Sequence, residues 1–253
     1  MSTIYPGFTL NQFFSQSPIT ILEHQSKKET CVFSKGKIEF IYNEYGYRTH
    51  SFQNITNNYI LISGCSLTEG HGLDYEQSWG AKIEKNLNLP VINLAKGGAN
   101  GEFVSQNLCN WLNNDYAKPK IVIAQWPNPF RATHWQAGQA QFILNQIADN
   151  LYKLKITQGV EHFYSSWVKS IITLNDTCKQ LSIPILNLCF EGIDTVEPVI
   201  EILSQYDITL HMDLKLPGQT WHFDSAALDN SHHSEWCTEQ WATRILTLVN
   251  NML

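Results

Sequence analysis

A doubly wound α/β fold, an open parallel sheet flanked by helices, is what this sequence predicts, with a small β-rich extension at the N-terminus. Three observations carry that expectation. From residue 58 onward, short apolar runs rich in Ile, Leu and Val alternate with longer stretches of helical period. The first three of these runs stop abruptly in loops studded with Gly, Asn or Pro. The segment before them alternates apolar and polar residues as a hairpin does. Strands and helices alternating at these lengths form βαβ units and therefore a parallel sheet.

Residues 1–55 make the extension. In CVFSKGKIEFIYNEYGYRT the apolar positions Val32, Ile38, Phe40 and Tyr42 nearly alternate, and Lys35-Gly36 and Tyr45-Gly46 are turn signals. Residues 56–253 make the α/β domain. Its strand candidates are Tyr59–Ser63, Pro90–Ala95, Lys120–Gln125 and Ile183–Phe190, with a weaker one at Ile208–His211. The first is short, apolar and stopped by Gly64, which suits a strand buried on both faces better than a helix. Helical period is expected over Gln77–Leu87, Glu102–Asn113, Gln139–Leu154 and Val160–Leu181. A closing helix, Ser234 to Asn250, carries Trp241, Ile245 and Leu248 on one face. The expected strand order is 2-1-3-4-5, the flavodoxin-like winding, in which the first and third strands are neighbours at a switch point.

Composition excludes several function classes. With 43% apolar and 16% charged residues the chain is globular rather than disordered. Seventeen basic against 23 acidic residues, with Lys27-Lys28 the only adjacent basic pair, leave no footprint for nucleic acid. Six cysteines at 31, 65, 109, 178, 189 and 237 form no CxxC pair or framework, which points to a reducing compartment. The N-terminus lacks a basic region followed by an apolar run, and no long apolar stretch occurs elsewhere. A cytoplasmic protein that does not engage a membrane is expected, of undetermined oligomeric state.

The chemistry is expected where the strands end, since open α/β sheets place ligands at that edge. The first strand runs into GCSLTEGHG, with Ser66 just beyond it. The second ends at NLAKGGANGE, where Gly97-Gly98 lets backbone N–H groups approach a ligand and Gly101 opens a helix; a tight turn explains the pair equally well. The third ends at QWPNPFR, where prolines on both sides hold Asn128 out of helical conformation. Far downstream, LDNSHHSEW sets Asp229 three residues before His232, a spacing at which a carboxylate on one loop turn orients an imidazole. Helix capping by Asp229 and Ser231 is the competing reading. A metal site is not expected: adjacent histidines diverge, and no partner set stands at ligand spacing.

These four blocks, in this order, resemble the SGNH, or GDSL-type, hydrolases. The resemblance covers about residues 41 to 131, with NEYGYRT as a lead-in, and 224 to 250. It implies Ser66 as nucleophile, Gly98 and Asn128 as oxyanion donors beside the Ser66 N–H, and Asp229 with His232 as the acid–base pair. Two positions depart from the pattern: Cys65 stands where Asp usually flanks the nucleophile, and Pro129 where Asp usually follows the third-block Asn. The implied reaction is acyl transfer from an ester through an acyl-enzyme, to water or to a sugar hydroxyl, with no cofactor. The His232 ring is then expected about 3 to 4 Å from the Ser66 hydroxyl. His71, Trp126, Phe130, Arg131, His134 and Trp135 are candidates to line an acyl or sugar pocket. The competing class is a non-catalytic carbohydrate- or partner-binding protein on the same fold. A nucleotide binder is disfavoured, because neither GxGxxG nor a P-loop follows the first strand.

Overall fold

A computed structural model describes residues 27–33, 36–56, 58–136, 139–143, 160–190, 193–212, 227 and 232–253. Five parallel strands form the central sheet: β3 (Ile60–Ser63), β4 (Val91–Asn93), β5 (Ile121–Trp126), β8 (Ile185–Cys189) and β9 (Leu210–His211). Their spatial order, β4-β3-β5-β8-β9, is the expected 2-1-3-4-5. The register aligns Ile62 with Asn93 on one side and with Ile123 on the other, so the first three strands finish nearly level. Every residue of β3, β4 and β5 is buried, as apolar sequences covered on both faces require.

Helices cover the two faces. On one, α2 (Trp79–Leu87) and α6 (Glu235–Asn250) bring Trp79, Ile83, Trp241, Ile245 and Val249 against Ile60, Ile62, Ile121 and Ile123. On the other, α3 (Gly101–Leu112), α4 (Val160–Gln180) and α5 (Ile193–Ser204) bring Phe103, Leu108, Trp111, Trp167, Ile171 and Val199 against Leu61, Ile92, Val122 and Ala124. Neighbouring residues of one strand thus serve opposite layers. The helix starts follow local chemistry: Ser78 accepts from Ala81 N at 3.3 Å and Asn100 from Phe103 N at 2.9 Å, each an N-cap.

At the N-terminus β1 (Lys27–Phe33) and β2 (Gly36–Tyr42) pair antiparallel, with Ile38, Phe40 and Tyr42 buried along one face of β2. The segment that follows is bolted to the main body. Tyr47 donates from its hydroxyl to Asn107 Oδ1 at 3.1 Å, and Thr49 bridges Val91 O and Asn93 N.

Two expectations need correction. Gln139–Leu154 is not one helix: Gln139–Ile143 is strand β7, antiparallel to β6 (Ala132–Gln136), and residues 144–154 lie outside the described ones. In the sequence, Gly138 is a turn signal that competes with the weak helical period. The helix α5 was not foreseen, because Pro198 interrupts its pattern. Among the described residues no helix is long and apolar enough to cross a membrane.

Candidate active site

The site is built where β4, β3 and β5 end side by side, and three loops are cross-tied there. After β3 the chain passes Gly64 and Cys65 into a single turn of helix, α1 (Ser66–Glu69), closed by Gly70 in left-handed conformation at φ 80°. Ser66 opens that turn and is 8% exposed. Lys96 N donates to Gly64 O at 3.2 Å, joining the second loop to the first. Cys65 N donates to Gln125 Oε1 at 3.0 Å, joining the first to the third. Arg131 Nη1 donates to Ala99 O at 3.3 Å, joining the third to the second.

Gln125 is a residue that sequence reasoning missed. Its Oε1 also accepts from Thr68 Oγ1 at 3.0 Å and from Cys65 Sγ at 3.2 Å. It supplies, from the neighbouring strand, one acceptor for three donors of the Ser66 loop. Gly64 must be small for this packing, since a Cβ there would sit 2.6 Å from Gln125 Oε1. A polar side chain within the apolar run IVIAQW was the available signal.

Three hydrogen-bond donors at this edge have no partner among the described residues. Ser66 N and Gly98 N donate to no described residue. Gly98 adopts φ 79°, a conformation glycine takes without strain. Asn128 Oδ1 accepts from Phe130 N at 2.9 Å, which fixes the amide and leaves Nδ2 donating to no described residue.

His71 follows the α1 turn, its N–H on Ser66 O at 3.0 Å. Its ring stands 5.4 Å, centroid to centroid, from the ring of His232 and 5.6 Å from that of Phe40. His71 Nε2 and Glu69 Oε2 are 2.8 Å apart. Glu69 is 4% exposed and also takes the Gly97 N–H at 2.5 Å and faces Lys96 Nζ at 3.5 Å. Burial pushes the Glu69 carboxyl upward, but Lys96, His71 and the Gly97 N–H outweigh it and hold it at about 2. Burial conversely lowers the pKa of the Lys96 ammonium, which lies over the Tyr42 and Tyr47 rings and donates to Gly46 O. Arg48, also buried, clamps the loop after α1 by donating to Gly70 O at 2.7 Å and Leu73 O at 2.8 Å. None of Glu69, Lys96 and Arg48 was singled out from sequence, although charged residues among buried apolar ones are a signal in themselves.

The remaining candidates fall out as follows. His232 is placed beside the loop that carries Ser66, its ring next to that of His71. Asp229 lies outside the described residues. Trp126 is a core residue with no exposure, its indole N–H donating to Asn187 Oδ1 at 3.0 Å. Phe130 packs on Phe163 and Tyr164, while His134 and Trp135 lie in β6. Among the described residues no group of three or more His, Cys, Asp or Glu is placed to hold a metal ion.

This architecture is shared with solved structures of low sequence identity. TesA aligns at 15% identity and TM-score 0.52 over 77% of this chain and 99% of its own. The psychrotrophic esterase EstA from Pseudoalteromonas sp. aligns at 13% and 0.52, over 76% and 99%. The chain has the SGNH-hydrolase fold. A third structure with that fold is a carbohydrate esterase whose active site is described as having divergent catalytic and non-catalytic binding functions; it aligns at 11% and 0.52, over 90% and 84%. No protein-family model matches the sequence, and no curated protein does. On the SGNH frame the Ser66, Gly98 and Asn128 loops are adjacent, at the carboxyl edge of three neighbouring strands.

Proposed function

We propose that the protein is a serine esterase, hydrolysing or transferring the acyl group of an ester through an acyl-enzyme on Ser66. The observation that supports this reading is that Ser66 N, Gly98 N and Asn128 Nδ2, which donate to no described residue, stand on the loops that end three neighbouring strands, one of them carrying the buried Ser66. A tetrahedral oxyanion is a ligand that backbone N–H groups and a side-chain amide on neighbouring loops suit.

In this mechanism the Ser66 oxygen attacks the ester carbonyl as His232 takes its proton, and the charge moves to the former carbonyl oxygen. The three donors meet it there; one such donor is commonly worth about 3 to 4 kcal/mol in the transition state. Collapse expels the alcohol, which receives the proton from His232. A second nucleophile, water or a sugar hydroxyl, then repeats the sequence on the acyl-enzyme. Asp229, three residues before His232, is assigned to orient the imidazole and stabilise its charged form. As general base, His232 must lie within hydrogen-bond reach of the Ser66 hydroxyl in the substrate complex.

A carbohydrate ester is the favoured substrate class, supported by the carbohydrate esterase among the structures of the same fold. The second reading, non-catalytic binding of carbohydrate or a partner, is favoured by the loss of the supporting carboxylates at positions 65 and 129. Turnover of a panel of short acyl esters by wild type and Ser66→Ala separates the two. The enzyme reading expects wild-type turnover, with Ser66→Ala slower by about 10³-fold or more and still folded. Equal rates for the two proteins would refute it.

A further inference from the structure

We propose that Glu69 is the positioning residue of the Gly97-Gly98 loop, holding it so that the Gly98 N–H is the one left for the oxyanion; this rests on the acyl-transfer reading above. The loop spends its donors in sequence. Lys96 N goes to Gly64 O at 3.2 Å and Ala99 N to Lys96 O at 3.1 Å, which closes the turn. Gly97 N goes to Glu69 Oε2 at 2.5 Å. Gly98 N, between them, donates to no described residue. With Lys96 Nζ on the same carboxylate at 3.5 Å, Glu69 grips two consecutive residues immediately before Gly98.

Glu69 also ends the helical turn that Ser66 begins, so nucleophile and oxyanion loop are referenced to one carboxylate. The same Oε2 holds the His71 ring, which faces His232. The close approach demands glycine at position 97: a Cβ there would lie 2.9 Å from the His71 ring and 3.3 Å from Glu69 Oε2. Because the carboxyl is held at about 2, it is an anion throughout the range in which an imidazole base works. Charge-assisted bonds of this kind are shorter and stronger than neutral ones, which suits a loop that must keep one amide direction.

The test uses Glu69→Gln in the full chain, and Glu69→Gln/Lys96→Met as a second variant that removes the stranded ammonium should the first fail to fold. Amide hydrogen exchange at Gly97 is measured by NMR, beside kcat and KM for an aryl acetate. Gly97 exchange is expected to quicken about tenfold or more, the loss of one charge-assisted bond. The kcat is expected to fall by about 10- to 100-fold with KM within about twofold, since the donor acts on the transition state. Unchanged Gly97 exchange in a folded variant overturns the anchoring whatever the ester activity, and quickened exchange with unchanged kcat overturns the positioning role. Should wild type cleave no ester while Gly97 exchange still quickens in the variant, the anchor stands and the acyl-transfer reading is the one that fails.

Discussion

Two adjacent histidines precede the last helix, and they part company. His232 turns its ring toward His71, while His233 meets Trp241 edge-on at 4.9 Å against the α6 core. Burial, with the neighbouring His232 adding to it, lowers the pKa of His233, which suits an imidazole packed as a neutral ring. Of the two, His232 is therefore the one placed beside the loop that carries Ser66. His232→Ala is expected to remove esterase turnover by about 10³-fold or more, as loss of a triad member does, while His233→Gln retains most of it. Steady-state rates on one ester suffice, and the reverse pattern would move the base to His233.

At the scale of elements, the site depends on ties between loops as much as on the blocks themselves. Gln125→Ala removes the acceptor of Cys65 N, Cys65 Sγ and Thr68 Oγ1 at once. Stranding those buried donors is expected to lower stability by about 2 to 4 kcal/mol, read as a shifted urea midpoint with little change in slope. An unshifted midpoint would mean that the tie is dispensable. The Glu69–Lys96 tie predicts an acid response with a definite sign. A carboxyl whose folded pKa is depressed, here from 4.5 to about 2, adds stability above its unfolded pKa and loses it as pH falls through that interval. The melting temperature of wild type should thus drop between about pH 4.5 and about pH 2, and Glu69→Gln should show a shallower drop over the same interval.

These same elements show what could be read from the sequence. Ile60–Ser63, Val91–Asn93 and Ile121–Trp126 stood out because strands buried on both faces are apolar throughout, and the Gly and Pro that stop them mark the loops that carry Ser66, Gly98 and Asn128. The Gln139–Ile143 strand was hidden because its pairing with Ala132–Gln136 is a tertiary contact that overrides a faint helical period. Gln125, Glu69, Lys96 and Arg48 were hidden for a different reason. Each lies in a stretch whose pattern announces a strand or a loop, and only the fold reveals that their polar ends meet across 21 to 60 residues of chain.

Over the whole molecule, the sheet order puts the three block-bearing strands side by side, and the N-terminal hairpin closes on the same region. Phe40 lies 4.3 Å beneath the Arg48 guanidinium and against His71, so the extension helps wall the site rather than hanging from it. The central claim is that this assembly makes Ser66 a nucleophile. Labelling the intact protein with a fluorophosphonate and mapping the modified peptide by mass spectrometry tests it most directly, because the probe reacts with activated serines irrespective of the natural ester. The expected result is a single adduct on Ser66, absent from Ser66→Ala and strongly slowed in His232→Ala; a folded wild-type protein that takes up no label, or takes it up at another residue, would contradict the account.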